Sequence, residues 1–403
     1  MDQLKVAIVG GGVAGLSAAH YLQQLGQDSA QHLDITVLEK QARWGGKVNT
    51  LHRQGFLIEE GPDSFLATKP WALELCGELG IAEDLVATLP ARHRSYVLVD
   101  GNLVPLPDGM ERMLPADVGA LLASPLFSWR GKLRMLLEVL LPPRKAMEEE
   151  SVEQLIRRRL GREAYENLFE PLMTGVYGAD GGALSASAAL PHLPALEVAH
   201  GSLMRGARRL RQKRVSAQVA AETSAFMAPR DGMGALVDAL LDHLAQRGVQ
   251  LSADSAVRQI SHEGPGFLLE VQPGSSLKAD VLILALSAHA AARLLAPITE
   301  ELAEELAQIP FAPATTVSLG YDLDAVPRFL DAYGYLIPGR EQRAALACTW
   351  VSAKFPDRAP GGTALFRLFF NQLQPGAPTQ DYVDLSRNEL YETLGIQGEP
   401  LLT

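Results

Sequence analysis

The sequence predicts an α/β protein with a discontinuous parallel-sheet domain, an inserted α+β domain and a mostly helical subdomain. Three observations carry that prediction. Residues 4–39 run through an apolar stretch, a glycine turn, an Ala-rich stretch and a second apolar stretch that ends in an acid. A comparable buried-strand pattern returns far downstream, at 279–286. Between them, residues 111–170 carry leucines and charges at helical spacing.

The first two apolar runs, with Gly10, Gly12 and Gly15 between them and Glu39 at the end, make one βαβ unit of the Rossmann type. Each glycine has a physical role. Gly10 permits the tight turn out of the strand, and Gly12 leaves room for a pyrophosphate to approach the backbone. Gly15 lets the helix pack closely on the strand. The helix opens at Val13 and Ala14, whose N–H groups lack intrahelical partners and present partial positive charge to a diphosphate. Glu39, followed by Lys40, ends the second strand where it accepts hydrogen bonds from an adenosine ribose. A glycine-rich turn alone is a weak signal. Strand, glycines, helix, strand and acid in register point to an adenine dinucleotide.

Composition narrows the remaining choices. The chain has 403 residues, enough for two or three domains, and its 47% hydrophobic content supports a sizeable core. A net charge of −11 argues against general nucleic-acid binding, which needs a basic face. Cys76 and Cys348 stand far apart without Cys-x-x-Cys spacing, as in a reduced cytosolic protein, and the nine histidines form no ligand motif, so no metal is expected. The first strand begins almost at Met1, so no secretory signal is expected, and no run of 18 apolar residues predicts a membrane span. The stretch 121–141 is the most lipid-compatible. Flanked by Arg130, Lys132, Arg134, Arg144 and Lys145, it reads equally as an interfacial helix or as an ordinary amphipathic helix packed within its domain. The expected location is the cytoplasm, with contact at the periphery of the cytoplasmic membrane as the furthest excursion.

Along the chain, Pro70 begins a helix that Gly80 ends, and 96–106 read as a β-hairpin around Asp100-Gly101-Asn102. The basic run Arg205, Arg208, Arg209, Arg211, Lys213 and Arg214 reads first as a solvated helix face and second as an anion contact. A helix follows Gly234 to about Arg247. Strand-like runs then appear at 249–254, 267–271 and 280–286, the last expected to rejoin the first sheet. Further strands are expected at 315–321 and 363–370. The expected division is 1–66 with 228–290 as the dinucleotide domain. Residues 67–110, 171–227 and 291–403 form the substrate domain, and 111–170 the helical subdomain.

Two turns favour FAD over NAD. Gly45-Gly46-Lys47 follows the ribose-binding acid, and Gly61-Pro62-Asp63-Ser64 follows the next strand, and both let backbone pass close to a cofactor. Together with the first 66 residues they resemble the amine-oxidase-like flavoproteins, which include monoamine oxidases, phytoene desaturases and protoporphyrinogen oxidases. Segments 61–66, 170–178, 200–203, 334–338 and 355–360 resemble, in combination, the oxygen-dependent protoporphyrinogen/coproporphyrinogen oxidases of haem synthesis. The resemblance runs from about residue 4 to about residue 372.

That resemblance implies a chemistry. FAD takes hydride from the bridging carbons of a porphyrinogen, and O2 reoxidises it to give H2O2. Six electrons leave over three rounds, with no acid/base pair of the protein required. It also implies that Gly175 lets backbone approach the macrocycle, that Leu336 and Trp350 clamp the ring faces, that Lys69 meets a propionate and that the backbone of Val257 meets the adenine. A neighbouring haem-pathway enzyme is the implied protein partner. Read without the resemblance, Gly175 is a helix-ending glycine, Leu336 and Trp350 are core, and Lys69 is a solvated loop residue. Members of the group close with a second FAD segment, a Gly-rich turn leading to a helix beneath the flavin. The sequence ends at 395–403 before such a segment, as a shortened chain would. An amine oxidase or carotenoid desaturase on the same scaffold, and a non-catalytic flavin or tetrapyrrole binder, are the competing readings. Lys69 after the 61–66 turn resembles the bacterial coproporphyrinogen-type members, and that resemblance tilts the expected substrate toward coproporphyrinogen III rather than protoporphyrinogen IX.

Overall fold

The structure, a computed structural model, describes residues 3–29, 31–89, 94–144, 149–216, 225–328, 330–371 and 376–403. It divides into two compact units. The first comprises Met1–Arg53, Leu57–Ala87 and Ala225–Phe311; the second comprises Gln54–Phe56, Thr88–Ser224 and Ala312–Thr403.

The first unit is organised by a four-stranded parallel sheet. Its centre is β1 (Leu4–Val9), followed by α1 (Val13–Asp28) and β2 (Leu33–Leu38). β1 pairs with β2 on one side, Val6 opposite Ile35, and with the strand Val281–Leu284 on the other, Val6 opposite Val281. Gln250–Ser252 completes the sheet beyond β2. The late apolar run therefore does return to the first sheet. Val6, Ala7, Ile8, Ile35 and Val37 are all buried, as a parallel strand covered on both faces requires. The helix Gly234–Gln246 packs against α1, burying Leu236, Val237, Leu240 and Leu244. The antiparallel strands Val257–Glu263, Gly266–Val271 and Ser275–Ala279 form a separate sheet, whose Ile260, Leu269 and Val271 share a core with Ala7, Val9 and Leu38.

The boundary of this unit differs from the expected one. Residues 67–87 and 291–311 belong with the dinucleotide-type sheet rather than with the substrate domain. The cause in the first segment is a tether. The helix Pro70–Glu78 ends with Glu78 Oε2 2.7 Å from Nε2 of the buried His20 on α1. In the second, the helix Ala288–Leu295 packs on the strand Val257–Glu263.

The second unit is built on a six-stranded sheet in the order Ala314–Asp322, Thr363–Asn371, Ala345–Trp350, Ala332–Leu336, Arg94–Val99, Asn102–Pro105. The last two form the expected hairpin, its turn made by Asp100 and Gly101 with φ of 49° and 74°. Side chains alternate across a strand, so the sheet has two distinct faces. One carries Tyr96, Tyr335, Cys348, Trp350, Phe366, Leu368 and Phe370, and is covered by the helix Thr379–Leu394 through Tyr382, Val383, Leu390 and Leu394. The other face includes Val97, which belongs to the core of the helical part with Leu114, Phe169 and Met173. That part is helical well past residue 170, through Glu170–Tyr177, His192–His200 and Leu203–Ser216. Its centre is a fully buried pair. Glu138 accepts from Arg159 Nε at 2.6 Å and from the backbone N–H of Leu203 at 2.9 Å, so one carboxylate meets both a guanidinium and a helix N-terminus.

Candidate functional site

The glycine turn has the close contacts expected of a phosphate cradle. Gly10 has φ 116°, and a Cβ there would collide with the carbonyl of Ala285 at the end of the returning strand. At Gly15 a Cβ would collide with the Gly10 carbonyl, so only glycine lets α1 approach the turn this closely. Gly12 is different. A Cβ there would meet nothing nearer than 3.9 Å, the closest atoms being Gly45 O and Gly46 Cα. Gly12 is the N-cap of α1 with no side-chain cap, and no acid lies in the first turn. The first intrahelical bond runs from Leu16 N to Gly12 O. The N–H groups of Val13, Ala14 and Gly15 thus stand without intrahelical acceptors beside open space, an arrangement that fits an anionic diphosphate.

Glu39 is buried and held from two sides. Gly11 N donates to Glu39 Oε2 at 2.8 Å, and Gln41 N donates to Oε1 at 2.9 Å. An ionised carboxylate has about four acceptor positions, which leaves lone pairs for a ribose diol. Lys40, the next residue, is exposed. The segment after Ser252 wraps the same corner. Glu39 N donates to Ser252 O, Ser255 N to Glu39 O and Asp254 N to Gln41 O. This places Val257, at the start of its strand, a few residues from the Glu39 corner.

Both predicted turns belong to the cradle. Gly45 N donates to Gly11 O at 2.8 Å, and Gly12 and Gly45 form a bridge. Gly45 and Gly46 have φ of 93° and 60°, and a Cβ on Gly46 would lie 3.2 Å from Gly12 Cα. Gly61 lies against Lys47, whose carbonyl oxygen occupies the place a Cβ would take, and Glu60 N donates to Asn49 O at 2.9 Å. Beyond it, Pro62 is exposed and Ser64 Oγ donates to Asp63 Oδ1 at 2.6 Å. Lys47 is exposed, its Nζ 5.6 Å from the Phe311 ring.

Several supports were not read from the sequence. Arg43 donates to the carbonyls of Trp44, Gly46 and Val48 and so braces the Gly-Gly turn. Trp44 packs over Gly11, where a Cβ would strike its ring. Glu59, buried, accepts from Thr50 Oγ1 at 2.8 Å and from Met233 N at 2.7 Å. Arginine next to a turn of free carbonyls was the available signal; the other two need the tertiary fold.

The residues expected to meet substrate fall in both units. Lys69, in the first, is the exposed N-cap of the helix Pro70–Glu78, with Nζ 5.5 Å from the ring of Trp71, itself 66% exposed. In the second unit, Gly175 and Leu336 come together. A Cβ on Gly175 would lie 3.1 Å from Leu336 Cδ2 and 4.0 Å from Ala347 Cβ. Gly175 lies within the helix Glu170–Tyr177, which ends at Gly178 with φ 62°, so Gly175 does not end the helix. Glu170 on that helix accepts from Gly339 N at 3.1 Å and from Thr174 Oγ1 at 3.3 Å, binding the 170–178 and 334–339 segments together. Burial holds the Glu170 carboxyl above its ordinary value.

Trp350 does not join Leu336. Leu336 pairs with Ala347, whereas Tyr335 pairs with Cys348, two residues before Trp350. Leu336 and Trp350 therefore lie on opposite faces of the sheet. Trp350 is 0% exposed, packed with Tyr96 and Tyr335 at centroid distances of 6.0 and 6.5 Å. It is a core residue beneath the C-terminal helix, and the expected clamp loses that half. Among the described residues no group of three or more His, Cys, Asp or Glu side chains is arranged to hold a metal, and no helix is long and apolar enough to cross a membrane.

Comparison with known proteins shows the family and the fold. The family model described as flavin containing amine oxidoreductase matches residues 13–401. Coproporphyrinogen III oxidase of Bacillus subtilis (strain 168) is 32% identical over 407 residues, covering 99% of this chain and 84% of the relative. Chloroplastic protoporphyrinogen oxidase 1 of Arabidopsis thaliana is 31% identical over 410 residues, covering 96% of this chain and 72% of the relative. A crystal structure from Exiguobacterium sp. 255-15, assigned as a protoporphyrinogen oxidase, superimposes with a TM-score of 0.85 at 27% identity, covering 100% of this chain and 85% of that one.

Proposed function

This chain belongs to the flavin containing amine oxidoreductase family, and on that premise we propose that it is an FAD-dependent porphyrinogen oxidase. It removes six electrons from a porphyrinogen and passes them to O2, giving three H2O2 and the aromatic porphyrin. The carrying observation is near-full-length similarity to relatives named for this reaction, the Bacillus subtilis coproporphyrinogen III oxidase among them. FAD, when bound, supplies the hydride acceptor and the route to O2.

The protein's own part is binding and orientation. The first turn of α1 and the open approach at Gly12 hold the diphosphate, and Glu39 holds the ribose. Gly46, Lys47 and the turn from Gly61 to Ser64 run beside the cofactor, and the backbone of Val257 meets the adenine. Gly175 beside Leu336 offers an apolar contact suited to a macrocycle face, and the Lys69 ammonium suits a propionate. No general acid or base is assigned, because positioning is what this chemistry asks of the polypeptide. Coproporphyrinogen III is the preferred substrate in this reading. The enzyme works in the cytoplasm or at the periphery of the cytoplasmic membrane, where a neighbouring haem-pathway enzyme takes its product.

The test is anaerobic mixing of flavin-loaded protein with coproporphyrinogen III and, separately, protoporphyrinogen IX. Rapid bleaching of the flavin's visible absorbance by the tetracarboxylate, slower by the dicarboxylate, is expected. Bleaching by amines but by neither porphyrinogen would assign the chain to another branch of the family.

A further inference from the structure

A cavity of about 510 Å³ lies in the second unit, bordering the core on the Trp350 side of the six-stranded sheet. Its apolar wall is Leu323, Val326 and Leu330, and the last two share that core with Tyr96, Tyr335 and Trp350. Gly175 packs on Leu336, which faces the other way, so the sheet stands between this cavity and the surface proposed for the macrocycle. The remaining wall comes from Ser352 and the segment 357–363. Residues 355–360 carried part of the family resemblance, yet the proposed reaction gives them no task. The cavity falls within the roughly 300–1,000 Å³ in which proteins hold small organic ligands.

The polar part of the cavity favours negative charge. Among the described residues that line it, Arg328 and Arg358 are basic and Asp357, which is exposed, is acidic. Arg358 is 2% exposed, its guanidinium 5.5 Å from the Phe355 ring. Arg328 is half-buried and lies 5.1 Å from the ring of Tyr96. That ring is anchored in turn, because the Tyr96 hydroxyl donates to the Asp331 carboxylate at 3.0 Å. The ring contact is the one interaction Arg328 makes among the described residues, and no acid pairs with it. The basic run 205–214 differs, since its Arg211 donates to Asp117 Oδ2 at 2.6 Å. Lys145 and the side chain of Arg214, from the basic stretches read in the sequence, lie outside the described residues. Partly burying a guanidinium without an acid costs desolvation energy, which a carboxylate from outside offsets through charge-assisted bonds. Ser352 adds a directed donor. Its Oγ accepts from Leu365 N at 3.1 Å, which leaves the O–H to donate.

We propose that this cavity is a second ligand site, one that takes a small monocarboxylate with an aromatic or other apolar body. The carboxylate meets Arg328 and the Ser352 hydroxyl, Arg358 adds positive potential, and the body lies against Leu323, Val326 and Leu330. One negative charge suits the site better than several, because Asp357 opposes the others. A tetracarboxylate macrocycle is disfavoured for the same reason. The ligand is an effector rather than a reactant, since the sheet separates it from Leu336. The strand Ala345–Trp350 joins the two sides, with Ala347 beside Leu336 and Ser352 just past its end. The site needs no part of the porphyrinogen reading.

The test is calorimetric titration of the flavin-loaded full chain with benzoate, naphthoate and octanoate, against naphthamide as the uncharged counterpart. At least one carboxylate should bind with a sub-millimolar Kd, and naphthamide should bind about tenfold or more weakly than naphthoate. Arg328→Gln should weaken carboxylate binding about tenfold with flavin content unchanged, and Arg328→Lys should restore part of the affinity. Leu323→Glu changes a side chain that is 49% exposed and places like charge at the rim. It should also weaken binding, and it guards against a folding defect in the arginine variants. Coproporphyrin III should leave the carboxylate affinity unchanged, as sites on opposite sides of the sheet require. Binding of none of the three carboxylates, equal affinity for naphthoate and naphthamide, or equal affinity in wild type and Arg328→Gln would overturn the proposal. So would displacement of the carboxylate by coproporphyrin III. None of these measurements depends on turnover, so failure of the porphyrinogen reading leaves the test intact.

Discussion

Gly11 and Glu39 are joined by a 2.8 Å hydrogen bond from backbone N–H to carboxylate, so the glycine turn and the acid proposed to hold the ribose are one structural device. The consequence is that two variants aimed at the cofactor should behave differently. Glu39→Ala removes the acceptor of Gly11 N and Gln41 N in a buried setting, which costs about 1–3 kcal/mol for each group left unsatisfied. Gly12→Val adds a side chain into space that is open in the protein alone. Glu39→Ala should lower both the melting temperature of the flavin-free protein and its flavin content. Gly12→Val should abolish flavin loading while lowering the apoprotein melting temperature only by the small cost of valine at an N-cap. Full flavin occupancy in purified Gly12→Val would sink the assignment of the cradle.

How much of this cradle was legible in the sequence depends on how local the cause is. Gly15 packs on Gly10 and Glu39 on Gly11 within one βαβ unit, so spacing alone placed them, whereas the close approach at Gly10 is to Ala285 at the end of the returning strand. Gly45, Gly46 and Gly61 were legible as turns, but their packing on Gly11, Gly12 and Lys47 is tertiary. Trp350 shows the limit. Whether it shares a face with Leu336 depends on strand register, and a one-residue offset moves a side chain to the other side of the sheet. The helix Trp129–Leu136 shows another. Its periodicity was plain, but which stripe faces inward is set by partners at Leu122, Arg159 and Leu203.

Glu170 gives a prediction in pH. Its carboxyl is raised by burial, so the protonated form is favoured in the folded protein. A raised carboxyl contributes stability below the unfolded value, and that contribution is lost as pH rises through the folded value. Glu170→Gln cannot ionise, yet its amide oxygen can still accept from Gly339 N. The variant's melting temperature should therefore gain on wild type as pH rises from the acid side through the raised value, then hold constant. A difference that does not change with pH would show that Glu170 is not destabilised by its charge.

Gly175 tests the face opposite Trp350. With 3.1 Å between a new Cβ and Leu336 Cδ2, Gly175→Ala needs only a small shift of a flexible methyl, whereas Gly175→Leu has to displace Leu336 outright. Flavin content should stay near wild type in both. KM for porphyrinogen should rise about tenfold or more in Gly175→Leu and several-fold less in Gly175→Ala, on the order of 1.4 kcal/mol of lost binding for each tenfold. Trp350→Phe, by contrast, should change thermal stability and leave KM alone, because its ring is buried beneath the C-terminal helix. Steady-state kinetics on the three variants would decide the assignment; a KM effect confined to Trp350→Phe would reverse it.

Lys69 is the residue whose role the fold leaves most open to experiment. It caps a helix without using its side chain, and its ammonium is exposed beside the Trp71 ring. A solvated lysine in that position would contribute almost nothing to catalysis, since an exposed pair is worth about 0–1 kcal/mol. If it meets a propionate in a partly dehydrated complex, the charge-assisted bond is worth about 1.5–3 kcal/mol. Lys69→Ala should then lower kcat/KM about tenfold or more with flavin content unchanged, and Lys69→Arg should recover most of the loss. The loss should be larger for coproporphyrinogen III than for protoporphyrinogen IX if the partner is a propionate that only the tetracarboxylate carries. Identical kinetics for wild type and Lys69→Ala with both porphyrinogens would return this side chain to the solvent.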